Sequence, residues 1–148
     1  MLERHFMYFL AAALIGLIAA IPAIMWARHQ RNHLLAKGAG WGLIVIASIY
    51  VLAAFEKADG FWKLVELMGV GAFGCFYWLA NKRPLWVLAW GWALHPVWDI
   101  FLHYLGPGAY IMPDWYSIAC AVFDIAVAAY LFWRDYQQRH PAAMIRFW

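Results

Sequence analysis

The sequence predicts an all-α integral membrane protein in which residues 1–148 form a single domain, a bundle of five transmembrane helices. Its residues are 67% hydrophobic and 13% charged, whereas soluble domains are about half apolar and about a quarter charged. The 11 Trp, 8 Tyr and 10 Phe are typical of aromatic belts at two membrane interfaces. The net charge is +3, with basic residues clustered at the ends of apolar runs, which indicates topology signals and no nucleic-acid partner.

Each helix is predicted from the length of its apolar run, because a bilayer core about 30 Å thick needs about 20 residues of helix. The predicted spans are residues 6–26, 38–55, 61–80, 85–105 and 115–133. The breaks between them read, in order, "ARHQRNHLLAK", "EKADG", "NKRP" and "GPGAYIMPD". Each break combines charges or turn formers with the end of an apolar run, so short links are expected.

The first run contains "LIAAIPA", which resembles the cleavage region of a secretory signal peptide. Its amino-terminal flank carries only Arg4, offset by Glu3, whereas the link that follows is far more basic. A signal peptide has the opposite charge pattern. The first helix is therefore expected to stay in the protein as an anchor.

The positive charges orient the bundle. On one side we expect eight of the 11 Lys and Arg residues, namely Arg28, Arg31, Lys37, Lys82, Arg83, Arg134, Arg139 and Arg146. The other side holds Arg4, Lys57 and Lys63. The positive-inside rule then predicts an outer amino terminus and a cytoplasmic carboxyl terminus in a bacterial inner membrane. The tail is expected to lie at the interface, anchored by Phe147 and Trp148.

The fourth run contains the stretch "LHPVWDIFLH", in which His95, Asp99 and His103 are spaced four residues apart. This spacing places them on one inclined stripe of a helix. Ionisable side chains inside a membrane cost about 2.5–3.5 kcal/mol each, so they are functional candidates by default. Pro96 removes a helical hydrogen bond, which predicts a kink and a polar cavity beside the stripe.

Depth in the membrane brings more ionisable residues to the same region. At 1.5 Å per residue, His95, Asp99 and His103 lie about 15, 9 and 3 Å below the outer end of their helix. Asp124 on the fifth helix lies about 13 Å deep from that surface and Glu66 on the third about 7 Å. We therefore predict a site in the outer half of the bundle, with His95, Asp99 and Asp124 at its centre and His103 and Glu66 at its mouth.

These residue types favour a divalent metal, with zinc the first choice and copper or iron also compatible. The predicted ligands come from His95, Asp99, His103, Asp124 and Glu66. The two histidines are about 12 Å apart along one helix, so they are not expected to bind the same ion. His95, Asp99 and Asp124 are also the predicted catalytic residues. A metal with an open position would activate water or polarise a lipid-like substrate.

Two further functions fit the same residues. The first is metal-free acid–base isomerisation, or lipid or sterol binding, with Trp86, Trp90, Trp92 and Trp98 lining an apolar pocket. The second is a proton or ion path, or a non-catalytic subunit of a membrane complex in which the polar residues hold helices together. Small residues in "FLAAALIGLIAAIPA" also allow a homo-oligomer. The residues leave open whether the protein is an enzyme.

The stretch "WALHPVWDIFLHYLGPG", followed by "PDWYSIACAVFDIAVAAYLFW", resembles a small bacterial membrane family, domain of unknown function 6010. The pattern falls on His95, Trp98, Asp99, His103, Pro113, Ser117, Cys120 and Asp124. Where the family has a His pair, this chain has Leu102 before His103. The resemblance implies that Asp124 and Ser117 interact with the stripe formed by His95, Asp99 and His103 on the fourth helix. It does not imply a particular reaction.

A looser likeness links the chain to the sterol-isomerase and sigma-2-receptor superfamily. It rests on the small helical architecture and on the spacing of His95 from Asp99. That superfamily places intramembrane histidines and carboxylates around an apolar ligand. The likeness therefore implies an apolar small molecule as the partner.

Overall fold

The structure, a computed structural model, describes residues 2–80 and 84–140, with side chains from His5 onward. Over these residues the chain forms helices and no strand. The helices are α1 (Leu2–Arg28), α2 (Asn32–Lys57), α3 (Gly60–Ala80), α4 (Leu85–Asp99), which continues as a π-helical turn (Ile100–Tyr104), and α5 (Asp114–Arg139). The described chain thus contains five helical stretches long and apolar enough to cross a membrane, which confirms the predicted all-helical architecture.

Three helices exceed their predicted length by more than one residue, and one of them is α1, which spans Leu2–Arg28 rather than residues 6–26. α2 begins at Asn32 rather than at residue 38 because Leu35 is buried in the core and holds the first turn in place. α5 runs on to Arg139 rather than ending at residue 133. There Asp135 is buried and accepts a hydrogen bond of 3.2 Å from the Trp86 backbone N–H. The N–H groups in the first turn of a helix have no acceptor within the helix, and the Asp135 carboxylate accepts from one of them in α4.

The helices pack in a definite order around α4 and α5. α5 packs along both α1 and α4, α2 packs along α3, and α4 also contacts α2 and α3. Glycines permit the closest approaches, because a Cβ on Gly16 of α1 would lie 2.1 Å from the Ala119 carbonyl oxygen of α5. A Cβ on Gly91 of α4 would lie 2.8 Å from the Leu43 side chain of α2. Gly91 therefore serves helix packing.

α4 changes its geometry after Asp99. The helix stays α-helical through Pro96, and the irregular part is the π-helical turn Ile100–Tyr104. Within it the Leu105 N–H donates to the Ile100 carbonyl over 2.8 Å, five residues back. The wider turn shifts His103 from the simple stripe that a regular helix would give.

Two ends of the bundle differ in charge. Arg134 donates to the Gln30 carbonyl over 3.3 Å, so the end of α5 adjoins the link between α1 and α2. We call this the basic end, and its described basic residues are Arg28, Arg31, Lys37, Arg134 and Arg139. Lys57 and Lys63 lie at the opposite end, where Lys57 donates to the Ile111 carbonyl over 3.2 Å.

Several residues used in the sequence analysis lie outside the described residues. These are Lys82, Arg83 and Arg146, the predicted anchors Phe147 and Trp148, and the side chains of Glu3 and Arg4. The orientation of the bundle and the role of the tail stay predictions.

Candidate functional site

Three of the predicted site residues meet in the interior of the bundle. His95 and Asp99 come from successive turns of α4, and Asp124 comes from the facing part of α5. His95 Nδ1 lies 2.8 Å from Asp124 Oδ2 and 3.4 Å from Asp99 Oδ2. One ligand atom from each residue lies within 4.8 Å of the other two. We call these three residues the triad, and all of them are buried.

The structure brings His103 and Glu66 together as a second pair. His103 Nε2 lies 3.2 Å from Glu66 Oε1. Both residues were predicted at the mouth of the site, and this was wrong, since the exposed fractions of His103 and Glu66 are 0% and 2%.

The link between α4 and α5 explains the burial of His103. The Gly108 N–H donates to the Leu102 carbonyl over 2.9 Å, so the chain folds back over the π-helical turn. A Cβ on Gly108 would lie 3.2 Å from His103 Nδ1 and 3.1 Å from the Trp62 ring. Glycine at this position lets the link close over the histidine. The depth of His103 therefore depends on a loop, which helix geometry alone does not predict.

Tyr50 of α2 lies between the triad and the Glu66–His103 pair. It was not predicted as a site residue. Its ring centroid lies 4.3 Å from that of His103 and 6.2 Å from that of His95. Its hydroxyl lies near the side chains of Asp99 and Ser117. Tyr50 and Ser117 are both fully buried. The sequence signal was weak, because one tyrosine within an apolar run is common in a chain with many aromatic residues.

Unpaired polar atoms are concentrated at this site. Among the described residues, eight buried side-chain oxygen or nitrogen atoms have no hydrogen-bond partner in the protein. Seven of them belong to the two groups and their neighbours: Tyr50 Oη, Glu66 Oε1, Asp99 Oδ1 and Oδ2, His103 Nε2, Ser117 Oγ and Asp124 Oδ1. Of these, Glu66 Oε1 and His103 Nε2 contact each other only as an ion pair, and Asp99 Oδ2 lies 3.4 Å from His95 Nδ1. Buried polar atoms are normally satisfied, so this concentration makes the two groups the candidate functional site.

The walls of the site are apolar and tightly closed. The Phe73 ring packs edge-on to His95 with a centroid distance of 4.7 Å. Trp98 packs against Phe73 and against the backbone of Gly69. The gap lined by Tyr50, Glu66 and these side chains is too small for a water molecule. This gap beside His95 therefore has no room for an organic ligand.

The four tryptophans considered for a shared apolar pocket do not line one. Trp86 and Trp90 are exposed and line a groove with residues of α3. Trp92 is buried and donates from Nε1 to the Ala39 carbonyl over 3.1 Å. Trp98 packs beside the triad. Helix periodicity separates these residues onto different faces, so their closeness in the sequence does not give a common pocket.

The two cysteines are free and differ in their exposure. Cys120 is buried on α5 and Cys75 is exposed on α3. Cys120 belongs to the resemblance pattern and lies one turn before Asp124.

Comparison of this chain with protein-family models, with curated proteins and with solved structures finds no match. The resemblance to domain of unknown function 6010 and the looser superfamily likeness therefore stay predictions. The candidate function rests on the geometry of the site.

Proposed function

We propose that this chain is a multi-pass protein of the bacterial inner membrane that binds one divalent metal ion inside its helical bundle. The proposed ligands are His95, Asp99 and Asp124. The observation that carries the proposal is the buried triad itself, with three ligand atoms from two helices within 4.8 Å of one another.

The charge of the site supports a bound cation. Three buried carboxyl groups, from Glu66, Asp99 and Asp124, accompany two imidazoles. No buried side chain among the described residues is a lysine or an arginine. Buried carboxylates without a compensating charge are strongly unfavourable. A divalent cation would offset two of these negative charges.

The spacing of the ligand atoms also supports a small metal ion. Tetrahedral zinc with bonds of about 2.0–2.2 Å separates its ligand atoms by roughly 3.3–3.6 Å. The distance of 3.4 Å from His95 Nδ1 to Asp99 Oδ2 fits this range. The distance of 2.8 Å from His95 Nδ1 to Asp124 Oδ2 has to lengthen by about half an ångström, which a side-chain rotation provides.

The donor set indicates what the ion would be and what it would do. One imidazole and two carboxylates suit zinc first, and copper or iron are compatible. Three protein ligands leave one position of a tetrahedral zinc open, as in catalytic rather than structural zinc sites. Glu66 and His103 form a separate pair and are proposed as neighbours of the metal centre. Action on a lipid-like substrate is the enzymatic extension of this proposal.

One observation favours a second function, acid–base chemistry without a metal. The 2.8 Å distance between His95 and Asp124 is that of a hydrogen bond, and Glu66 and His103 form a second histidine–carboxylate pair. Such pairs move protons when the histidine is held next to a carboxylate. Metal content separates the two functions.

The test measures metal by elemental mass spectrometry in the full chain, purified in detergent after expression with zinc, iron and copper supplied together. We expect about one ion per chain. We expect Asp99→Asn and Asp124→Asn each to lower metal affinity by at least about tenfold, because each removes a charged ligand.

Asp135→Asn is the matched control, since Asp135 is another buried carboxylate of α5 that lies at the start of α4. It should keep the metal. Helix content by circular dichroism shows which variants fold. Protein without bound metal, or equal retention by folded Asp99→Asn, Asp124→Asn and Asp135→Asn variants, would overturn the metal proposal. The first outcome would favour acid–base chemistry.

A further inference from the structure

A second cavity, of about 240 Å³, lies between α1, α2, α4 and α5 and contains none of the residues of the proposed metal site. Its walls include Ile24, Leu35, Phe123, Val127 and Leu131, so the lining is almost wholly apolar. An apolar cavity of about 150 Å³ is large enough to bind benzene. This one has room for a chain of several methylene groups.

The cavity opens sideways, towards the lipid. α1 packs mainly along α5 and α2 mainly along α3, which leaves a gap between two helices that are consecutive in the chain. Small residues, among them Ala23, Ala39 and Gly42, widen this gap. At its edge Trp26 and Val45 are 46% and 57% exposed. A bilayer lipid could therefore enter without crossing the bundle.

Two basic residues are next in sequence to residues that line the cavity. Arg28 follows the lining residue Ala27, and Lys37 precedes the lining residue Gly38. Both basic side chains are exposed at the basic end of the bundle. Basic residues at a membrane surface attract anionic lipid headgroups. This pairing of an apolar cavity with an adjacent cationic edge matches the two parts of an anionic phospholipid.

An unpaired hydroxyl lies between these two parts. Tyr130 lines the cavity, is 9% exposed, and its hydroxyl has no hydrogen-bond partner among the described residues. It lies one helical turn before Arg134, whose guanidinium contacts the link between α1 and α2. The hydroxyl has almost no accessible surface in the structure, so the Tyr130 side chain has to turn towards the cavity before it can donate to a glycerol ester carbonyl.

We infer that this cavity is a binding site for one acyl chain of an anionic glycerophospholipid. Arg28 and Lys37 contact the phosphate-bearing headgroup, Tyr130 donates to an ester carbonyl, and the chain lies against Phe123 and Leu131. The site is independent of the proposed metal centre.

The test titrates the full chain in detergent with dioleoyl phosphatidylglycerol or dioleoyl phosphatidylcholine and counts bound lipid by native mass spectrometry. We expect phosphatidylglycerol to bind at least about tenfold more tightly, since two basic residues each contribute roughly fivefold. Arg28→Gln and Lys37→Gln should each lower this preference by roughly fivefold. Lys63→Gln, at the opposite end, should leave it unchanged.

Substitutions that fill the cavity test whether it binds the acyl chain of the lipid. Ala23→Leu places three more carbons in the cavity and should abolish tight binding, whereas Ala11→Leu makes the same change on an exposed face of α1. Val45→Phe closes the exposed edge without needing space in the core and should have the same effect as Ala23→Leu. Equal binding of the two lipids, or full binding by both folded cavity variants, would overturn the inference.

Discussion

The side chain of Tyr50 shows how much one residue decides at this site. Its ring packs against His103 and lies near His95, and it is among the largest fully buried side chains of the chain. The ring therefore fills the space between the triad and the Glu66–His103 pair. Its hydroxyl lies near Asp99 and Ser117 but makes no hydrogen bond of good geometry with any described residue. The ring and the hydroxyl have separable roles.

Two substitutions at Tyr50 separate these roles. Tyr50→Ala removes a buried ring and should lower the free energy of unfolding by about 3 kcal/mol, as large-to-small core changes do. Tyr50→Phe keeps the ring and should change it by less than about 1 kcal/mol, because the lost hydroxyl has no partner to leave unpaired. Thermal unfolding in detergent measures both. An equal loss for the two variants would show that the hydroxyl carries the effect.

At the scale of elements, the site exists because α4 and α5 lie close enough for His95 to reach Asp124. α5 is held in turn by α1, where Gly16 faces the backbone of Ala119. The described glycines are not equivalent, since a Cβ on Gly71 of α3 would have no atom within 4 Å. Helix packing in membranes depends on small residues at such contacts.

A pair of glycine substitutions tests this packing. Gly16→Ala forces α1 away from α5, and overpacking of this kind should lower the free energy of unfolding by about 1–3 kcal/mol. Gly71→Ala, on an open face, should leave it unchanged or raise it by up to about 1 kcal/mol, through helix propensity. Melting temperatures of the two variants in the same detergent give the comparison. A lower melting temperature for Gly71→Ala than for Gly16→Ala would contradict the packing argument.

At the scale of the whole molecule, the residues of the basic end and the proposed metal centre lie at different depths along the bundle. The basic end holds Arg28, Arg31 and Arg134 and flanks the apolar cavity. Towards the other end, the link between α4 and α5 closes over His103. The positive-inside rule predicts that the basic end faces the cytoplasm and that the proposed metal centre lies nearer the outer surface.

Cysteine labelling in intact cells measures this orientation. With Cys75 and Cys120 replaced by alanine, Glu56→Cys lies in the predicted outer link and Gln138→Cys lies at the basic end. Both positions are exposed. A membrane-impermeant maleimide should label Glu56→Cys directly and Gln138→Cys only after permeabilisation. The reverse pattern would invert the bundle and place the metal centre on the cytoplasmic side.

Much of the site could be predicted from spacing and depth. His95 and Asp99 are four residues apart on one helix, and a count of residues from the membrane surface brings Asp124 to a similar depth. The structure confirms that these three residues meet. The same count failed for His103 and Glu66, because it ignores the link that folds back over His103, whose side chain pairs with Glu66. Tyr50 was missed because nothing in the spacing of α2 marks which face meets α4.

The sequence by itself determined the all-helical architecture, the number of helices that can cross a membrane and the residues of the triad. These follow from local properties, namely the length of each apolar run, the polar breaks and the repeat of the helix. Tertiary structure decided the burial of His103 and Glu66, the position of Tyr50 and the gap between α1 and α2. Each of these depends on which helix faces which, and that is set by contacts between residues far apart in the chain.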